Sequence, residues 1–160
     1  MFYVAEFELY RSVGGTGYTA EPFGLRAGPA HGSSQSDAIR AAHLLLAKIV
    51  DDALVRNVHL PEPAFRSTPH HGGRIVCVSV ERELSDVSAV SASRAAEWLG
   101  ITRSRVGQLC ASGVLESWRE GPNRMVSVRS LLERAAKQGI SLDQPKKDAG
   151  PGPFEGLEPA

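Results

Sequence analysis

Val90-Ser-Ala-Ser-Arg-Ala-Ala-Glu-Trp-Leu-Gly100-Ile-Thr-Arg-Ser-Arg-Val-Gly-Gln-Leu-Cys-Ala-Ser-Gly113-Val-Leu115 is the stretch that decides the fold. Ser91 is a good N-cap, because its hydroxyl oxygen accepts from a backbone N–H that the first helical turn leaves unpaired. Ala92, Ala95, Ala96 and Leu99 follow at helical spacing and make a narrow face of small side chains, so a second helix can approach closely. Gly100 stands at the helix end, where glycine takes a left-handed backbone with little strain. Ile101 plugs the turn. Thr102 caps a second helix with Val106, Leu109 and Cys110 on its inner face, and Gly113 ends it. Two short helices joined by a three-residue turn with glycine first make a helix-turn-helix unit.

The outward face of the second helix presents Arg103, Ser104, Arg105, Gly107 and Gln108. Arginine can take two acceptors on guanine, glutamine can pair with adenine, and the N-terminal residues of a recognition helix reach base edges. Arg103 and Arg105 serve equally well as phosphate clamps, and the sequence leaves those roles open. The residues that follow read as a wing. Leu115 to Arg119 is a short strand, Glu120-Gly121-Pro122-Asn123-Arg124 a turn, and Met125 to Val128 the returning strand. Arg119 and Arg124 flank the tip and Asn123 lies on it. Arg129 to Gln138 forms a third helix, with Leu131, Leu132, Ala135 and Ala136 inward and Gly139 at its end. The expected DNA-binding set is Thr102, Arg103, Ser104, Arg105, Gln108, Arg119, Asn123 and Arg124.

The order from Ala95-Ala96-Glu97-Trp98-Leu99-Gly100-Ile101 through Ser112-Gly113-Val114-Leu115 to Val128 resembles the DNA-binding domain of the MerR and excisionase type. That resemblance implies a winged helix-turn-helix on double-stranded DNA and a role in transcription regulation. Bound as a dimer, such a module reads two half-sites about one helical turn apart.

The charge is distributed to match. The chain is neutral overall, but residues 86 to 140 carry 8 Lys/Arg against 5 Asp/Glu. Residues 1 to 85 carry 8 against 9, and residues 141 to 160 carry 2 against 4. Phosphates respond to the local potential, so the local excess matters more than the total. The excess is modest for one copy, and a homodimer or a higher oligomer is expected.

Upstream, Phe2-Tyr3-Val4-Ala5-Glu6-Phe7-Glu8-Leu9 alternates Phe7 and Leu9 with Glu6 and Glu8, as a half-buried strand does. Gly14, Gly15 and Gly17 precede a second strand at Tyr18-Thr19-Ala20. Pro22, Gly24, Gly28, Pro29 and Gly32 mark loops, with room for a short third strand. Ser34 with Asp37 resembles a capping box, Ser36 being an alternative cap. Ala38, Ile39, Ala42, Leu45, Leu46, Ile49, Val50, Ala53 and Leu54 then form one helical stripe, which should end before Leu60-Pro61-Glu62-Pro63. Residues 64 to 73 read as a loop, and Arg74-Ile75-Val76-Cys77-Val78-Ser79-Val80-Glu81 as a strand. The expectation is an α+β layer, a long helix over one face of a small sheet.

This pattern, with Ser34, Asp37, Ala38 and Ala42 at the helix start and Pro61 and Pro63 before the final strand, resembles a HicB-type antitoxin. In place of that family's Asp-Leu-Pro-Gly stretch stands Pro22-Phe23-Gly24-Leu25. The resemblance implies a partial RNase H-like domain that covers a small RNA-cleaving toxin, with the C-terminal module repressing the operon. Two other classes stay open: a free-standing regulator whose first domain dimerises or senses a ligand, and an interaction adaptor without DNA binding.

No catalysis, cofactor or metal is expected. Two-metal nucleases need converging carboxylates. Glu6 and Glu8 share a strand face, but Asp37 is better explained by the helix start and Asp51-Asp52 by a solvated face. His31, His70 and His71 read as exposed polar residues. Gly14-Gly15-Thr16-Gly17 lacks the Lys-Ser/Thr of a phosphate loop. Cys77 and Cys110, without CxxC spacing, read as plain buried thiols. No apolar run is long enough for a membrane span, and the first residues lack signal-peptide character, so a cytoplasmic location without membrane contact is expected. The chain should divide into a domain at 1–84, a second at 90–139 and a disordered tail at 140–160.

Overall fold

In the computed structural model, which describes residues 1–140 and Leu142, β1 (Phe2–Arg11) runs through the interior of a four-stranded sheet. It pairs antiparallel with β2 (Tyr18–Pro22) on one side and β4 (Arg74–Glu81) on the other. The three-residue β3 (Ala30–Gly32) extends the sheet beyond β2. Side chains alternate faces along a strand. Tyr3, Ala5, Phe7 and Leu9 therefore point to one side, where they form a core with Val78, Val80 and the helix α1 (Gln35–Arg56).

The start of α1 follows its sequence signal. Ser34 Oγ accepts from the Asp37 N–H at 3.1 Å, and the Ser33 and Ser34 hydroxyls donate to the Asp37 carboxylate at 2.6 and 2.8 Å. Those two hydroxyls hold the Asp37 pKa below its ordinary value. Ser36, the alternative cap, lies inside the helix. Ala38, Ala42, Leu46, Val50 and Ala53 are the buried stripe, so three alanines let the helix lie close to the sheet. Ile39 stays 37% exposed at the edge of that stripe. The helix stops at Asn57, whose left-handed φ of 51° breaks it before Pro61.

The connection from α1 to β4 is irregular, and it crosses to the opposite face of the sheet. β4 consequently enters antiparallel to β1, whereas a direct strand–helix–strand crossover gives a parallel pair. The expected partial RNase H-like layer is thus, in what the structure shows, a helix-covered sheet that is antiparallel throughout.

That crossing overturns the half-buried reading of β1. Glu6 and Glu8, expected on a solvent face, are 8% and 1% exposed. Their carboxylates bind the backbone of the crossing segment. Glu6 accepts from the Arg66 and Ser67 N–H groups at 3.1 and 2.8 Å. Glu8 accepts from His70 and His71 at 2.7 Å each and from Gly73 at 3.0 Å. A Cβ at Gly73 would collide with the Leu9 carbonyl oxygen, so only glycine lets the segment come this close. The Ser67 hydroxyl, then the Arg66 and Ser67 backbone, hold the Glu6 carboxyl below the usual range. For Glu8, burial opposes ionisation, but the His70, Gly73 and His71 N–H groups together outweigh it and lower its pKa.

Both groups ionise more readily folded than unfolded, which fixes the sign of a pH effect. Their contribution is complete above the ordinary Glu value of 4.5 and is lost as pH falls through the lower folded values. Amide exchange at residues 66–73, measured down an acid series, should accelerate below that value before the amides of α1 do. Equal protection of both segments down to global unfolding would contradict the carboxylate anchoring.

Two more expectations are corrected, those for Asp51 and for the two cysteines. Asp51 is not on a solvated face: Arg82 holds it with two bonds, Nε at 2.8 Å and Nη2 at 2.9 Å. Cys77 is exposed, because β4 is an edge strand and Cys77 points away from α1; Cys110 is only partly buried.

The first compact unit runs to Ser88, and the second begins at Ala89. Residues 83–89 therefore hold a single 3-10 turn (Leu84–Asp86) and the first residue of a strand absent from the sequence reading, β5 (Ala89–Ser91). The second unit continues with α2 (Ala92–Leu99), α3 (Arg103–Ala111), β6 (Ser117–Glu120), β7 (Asn123–Ser127) and α4 (Val128–Gln138). Its antiparallel sheet has the order β5-β7-β6. Ala92, Ala95, Ala96, Leu99, Val106, Leu109, Leu115, Val126 and Leu131 form its core. Leu115 is a core plug ahead of β6, not the first residue of a strand, and Ala136 is exposed, not inward. Residues 141 and 143–160, and so most of the expected tail, lie outside the described residues. Among the described residues no helix is long and apolar enough to cross a membrane.

Candidate nucleic-acid interface

α2 and α3 are set by their caps. Ser91 Oγ accepts from the Arg94 N–H, and Thr102 Oγ1 from the Arg105 N–H, both at 3.2 Å. Such a cap contributes about 1 kcal/mol. Between the helices Gly100 takes φ 62°, its N–H bonding back to Ala96 and Glu97 carbonyls, while Ile101 packs on the core. The turn therefore points α3 in one fixed direction. Val106 and Leu109 anchor α3 inward at 0% and 5% exposure.

The opposite side of α3 is open. Thr102, Arg103, Ser104, Arg105 and Gln108 are all exposed. Arg105 Nη1 donates to Gln108 Oε1 at 2.8 Å, which pre-orients both side chains on the same face. The carboxylates nearest in sequence are engaged elsewhere. Glu97 lies 3.6 Å from Arg94, and Glu116 accepts from Arg129 at 2.7 Å. Among the described residues no ion pair occupies Arg103, Arg105, Arg119 or Arg124.

The wing is a tighter hairpin than the sequence suggests. β6 reaches Glu120 and β7 starts at Asn123, so the turn is Gly121-Pro122 alone, with Gly121 at φ 58°. Glycine first in a two-residue loop suits the turn twist that hairpins favour. Asn123 and Arg124 accordingly belong to a strand, and Asn123 is opposite Glu120 beside the tip, not on it. Arg119 and Arg124 are direct cross-strand partners. Like charges set opposite one another are unfavourable without an anion between them. Arg119 is exposed, and the half-buried Arg124 donates to Ser117 Oγ at 3.2 Å. The structure thus yields two basic groups of residues in the second unit, one on α3 and one on the hairpin.

The groups weighed for metal or nuclease chemistry are used in other ways. Glu6 and Glu8 are committed to backbone N–H groups. His71 stacks on Tyr10 with ring centres 4.3 Å apart, and its Nε2 lies 3.0 Å from Glu21 Oε2. His31 Nδ1 lies 3.2 Å from Thr19 Oγ1. Among the described residues no cluster of three His, Cys, Asp or Glu side chains is placed to hold a metal ion. The sequence reading missed the Glu116–Arg129 bridge, because its partners sit on different elements and nothing in either local pattern marks them.

No family model matches the chain, and no curated protein matches it in sequence.

Proposed function

We propose that the second unit is a winged helix-turn-helix that binds double-stranded DNA, with α3 in the major groove and the β6–β7 hairpin on the adjacent backbone. The observation that carries this reading is the face of α3. Five consecutive or helically aligned polar residues, two of them arginines, stand exposed over a packed inner face, and among the described residues no carboxylate pairs with those arginines. Arg103, Arg105 and Gln108 meet base edges or phosphates, Thr102 and Ser104 flank them at the helix start, and Arg119, Asn123 and Arg124 meet the sugar-phosphate backbone. The exposed Arg119 and the half-buried Arg124 opposite it on the hairpin favour this over an adaptor without DNA binding.

The wider role follows from the resemblance of the first unit to HicB-type antitoxins. In this reading the chain is the antitoxin of a type II toxin-antitoxin pair. Its first unit neutralises a small RNA-cleaving toxin, and its second represses the shared operon. The supporting features are the element order of three strands, a long helix and a fourth strand, and the Ser34–Asp37 helix start. Native mass spectrometry of the chain isolated from its own cells tests that role. A small stoichiometric partner that is toxic when expressed alone is the expected result. Isolation of the chain with only copies of itself would point to a free-standing regulator.

A further inference from the structure

The two edges of the first sheet differ. β3 is 3 residues long, whereas β4 runs for 8. An open edge offers a row of backbone N–H and C=O groups for pairing, and chains usually blunt it with proline, lysine, a bulge or a short strand. β4, Arg74-Ile-Val-Cys-Val-Ser-Val-Glu81, contains no proline or lysine. It pairs with β1 residue for residue from Phe2↔Glu81 to Leu9↔Arg74, without a bulge. His43 Nδ1 lies 3.2 Å from the Ser79 carbonyl oxygen, at one point along the strand. On the face away from α1, Cys77, Ser79 and Glu81 are exposed, and Phe2 beside them is 67% exposed.

Charge indicates what pairs there. The first end of β4 carries Arg74. The other end carries Glu81, followed by Glu83 and Asp86, while the charge of Arg82 is taken up by Asp51. The strand is thus basic at one end and acidic at the other, and antiparallel alignment with itself brings unlike ends together. We infer that two copies of the chain join through β4, paired antiparallel about a two-fold axis, so that one continuous sheet runs through both. This goes beyond the DNA-binding reading and does not depend on it, since every residue involved lies in the first unit.

The register can be named as well. With α1 of both copies on the same side, opposed residues must share a face. The two central registers place Cys77 opposite Cys77 of the second copy, or Val78 opposite Val78. The second choice sets Ile75 against the Glu81 carboxylate. The first sets Ile75 against Ser79, Val76 against Val78 and Arg74 against Val80, where the apolar stem of the arginine can lie along the valine, and it opposes no carboxylate to an apolar side chain. The Cys77 register is therefore the one assigned. Opposed Cα atoms across such a pair lie roughly 4.5–5.5 Å apart, within reach of a short thiol crosslinker.

Sedimentation of the full chain without DNA tests this, in a Cys110→Ser background that leaves Cys77 as the one thiol. The expected result is a dimer that a short bismaleimide links covalently. Cys77→Lys, which sets two ammonium groups face to face on an exposed position, should sediment as a monomer with an unchanged far-ultraviolet spectrum. Ser79→Lys, on the same open face, gives a second variant should Cys77→Lys fail to fold. A monomeric parent, a dimer that survives a folded lysine variant, or a dimer that the reagent does not link would each overturn the inference. A monomeric parent would leave the edge to a strand from a different protein. Arg103→Ala with Arg105→Ala should leave the dimer intact, which separates this interface from DNA binding.

Discussion

Replacing Arg103 and Arg105 together with alanine is expected to weaken binding to a DNA duplex by about 100-fold or more, since each arginine contact contributes roughly 1–3 kcal/mol. Both side chains are exposed on α3, so the fold should be undisturbed and the circular dichroism spectrum unchanged. The salt dependence of the residual binding distinguishes the two roles open to these arginines. As phosphate clamps, their loss should flatten the plot of log affinity against log salt by about 0.9 per lost contact. As base readers, their loss should erase the difference between preferred and random duplexes while the slope changes little. Arg105→Ala also frees Gln108 from its 2.8 Å bond, so the single variant should shift sequence preference as well as affinity. Fluorescence anisotropy with a labelled duplex at several salt concentrations measures all of this. Unchanged affinity in a folded double variant would remove α3 from the interface.

Phe7→Ala should destabilise the first unit by about 3–5 kcal/mol, the usual cost of removing a fully buried phenyl ring. Phe7 is 0% exposed and lies in the middle of β1, with Pro22 and Val76 as its cross-strand neighbours and α1 packed over the same face. The surrounding strands are tied at both sides, so the cavity cannot close by a simple collapse. Against a total stability of about 5–15 kcal/mol for an ordinary domain, that is a large fraction. Urea unfolding followed by circular dichroism reads the effect as a lower midpoint. Phe2→Ala, on a side chain that is 67% exposed, is the control and should change stability by at most about 0.5 kcal/mol. Comparable losses in the two variants would contradict the assignment of faces along β1.

These two residues also show which parts of the molecule are legible in sequence. The turn between α2 and α3 is written locally: a serine cap, a run of alanines, Gly100 and a threonine cap fall within a dozen positions, and each acts on its immediate neighbours. The inward faces of α2 and α3 follow from helical spacing, with Ala92, Ala95, Ala96, Leu99, Val106 and Leu109 buried. The limits of the hairpin were less legible. Glu120-Gly121-Pro122-Asn123 is a turn sequence in any reading, but cross-strand pairing of Glu120 with Asn123 decides that only two residues remain outside the strands.

What was not legible depends on distant partners. Alternation of apolar residues with Glu6 and Glu8 suggests a solvent face, and nothing near those residues announces the backbone N–H groups that arrive from Arg66 to Gly73. Glutamate is a poor candidate for burial unless it is paired, and here the partner is a crossing segment without regular structure. The same holds for β5, three residues whose strand character comes from β7 and not from their own composition. Cys77 was misjudged for a related reason, since whether a β-strand residue is covered depends on the strand's place in the sheet, which the sequence of the strand does not state.

DNA binding by the second unit is tested by titrating the isotope-labelled full chain with a short duplex of mixed sequence and following amide chemical shifts. Non-specific duplex binding is sufficient for this measurement, because backbone contacts do not require the operator. Shifts are expected to concentrate at Thr102–Gln108 and at Arg119–Arg124, and to fade as salt is raised. Shifts confined to the first unit, or none at all at low salt, would contradict DNA binding by the second unit.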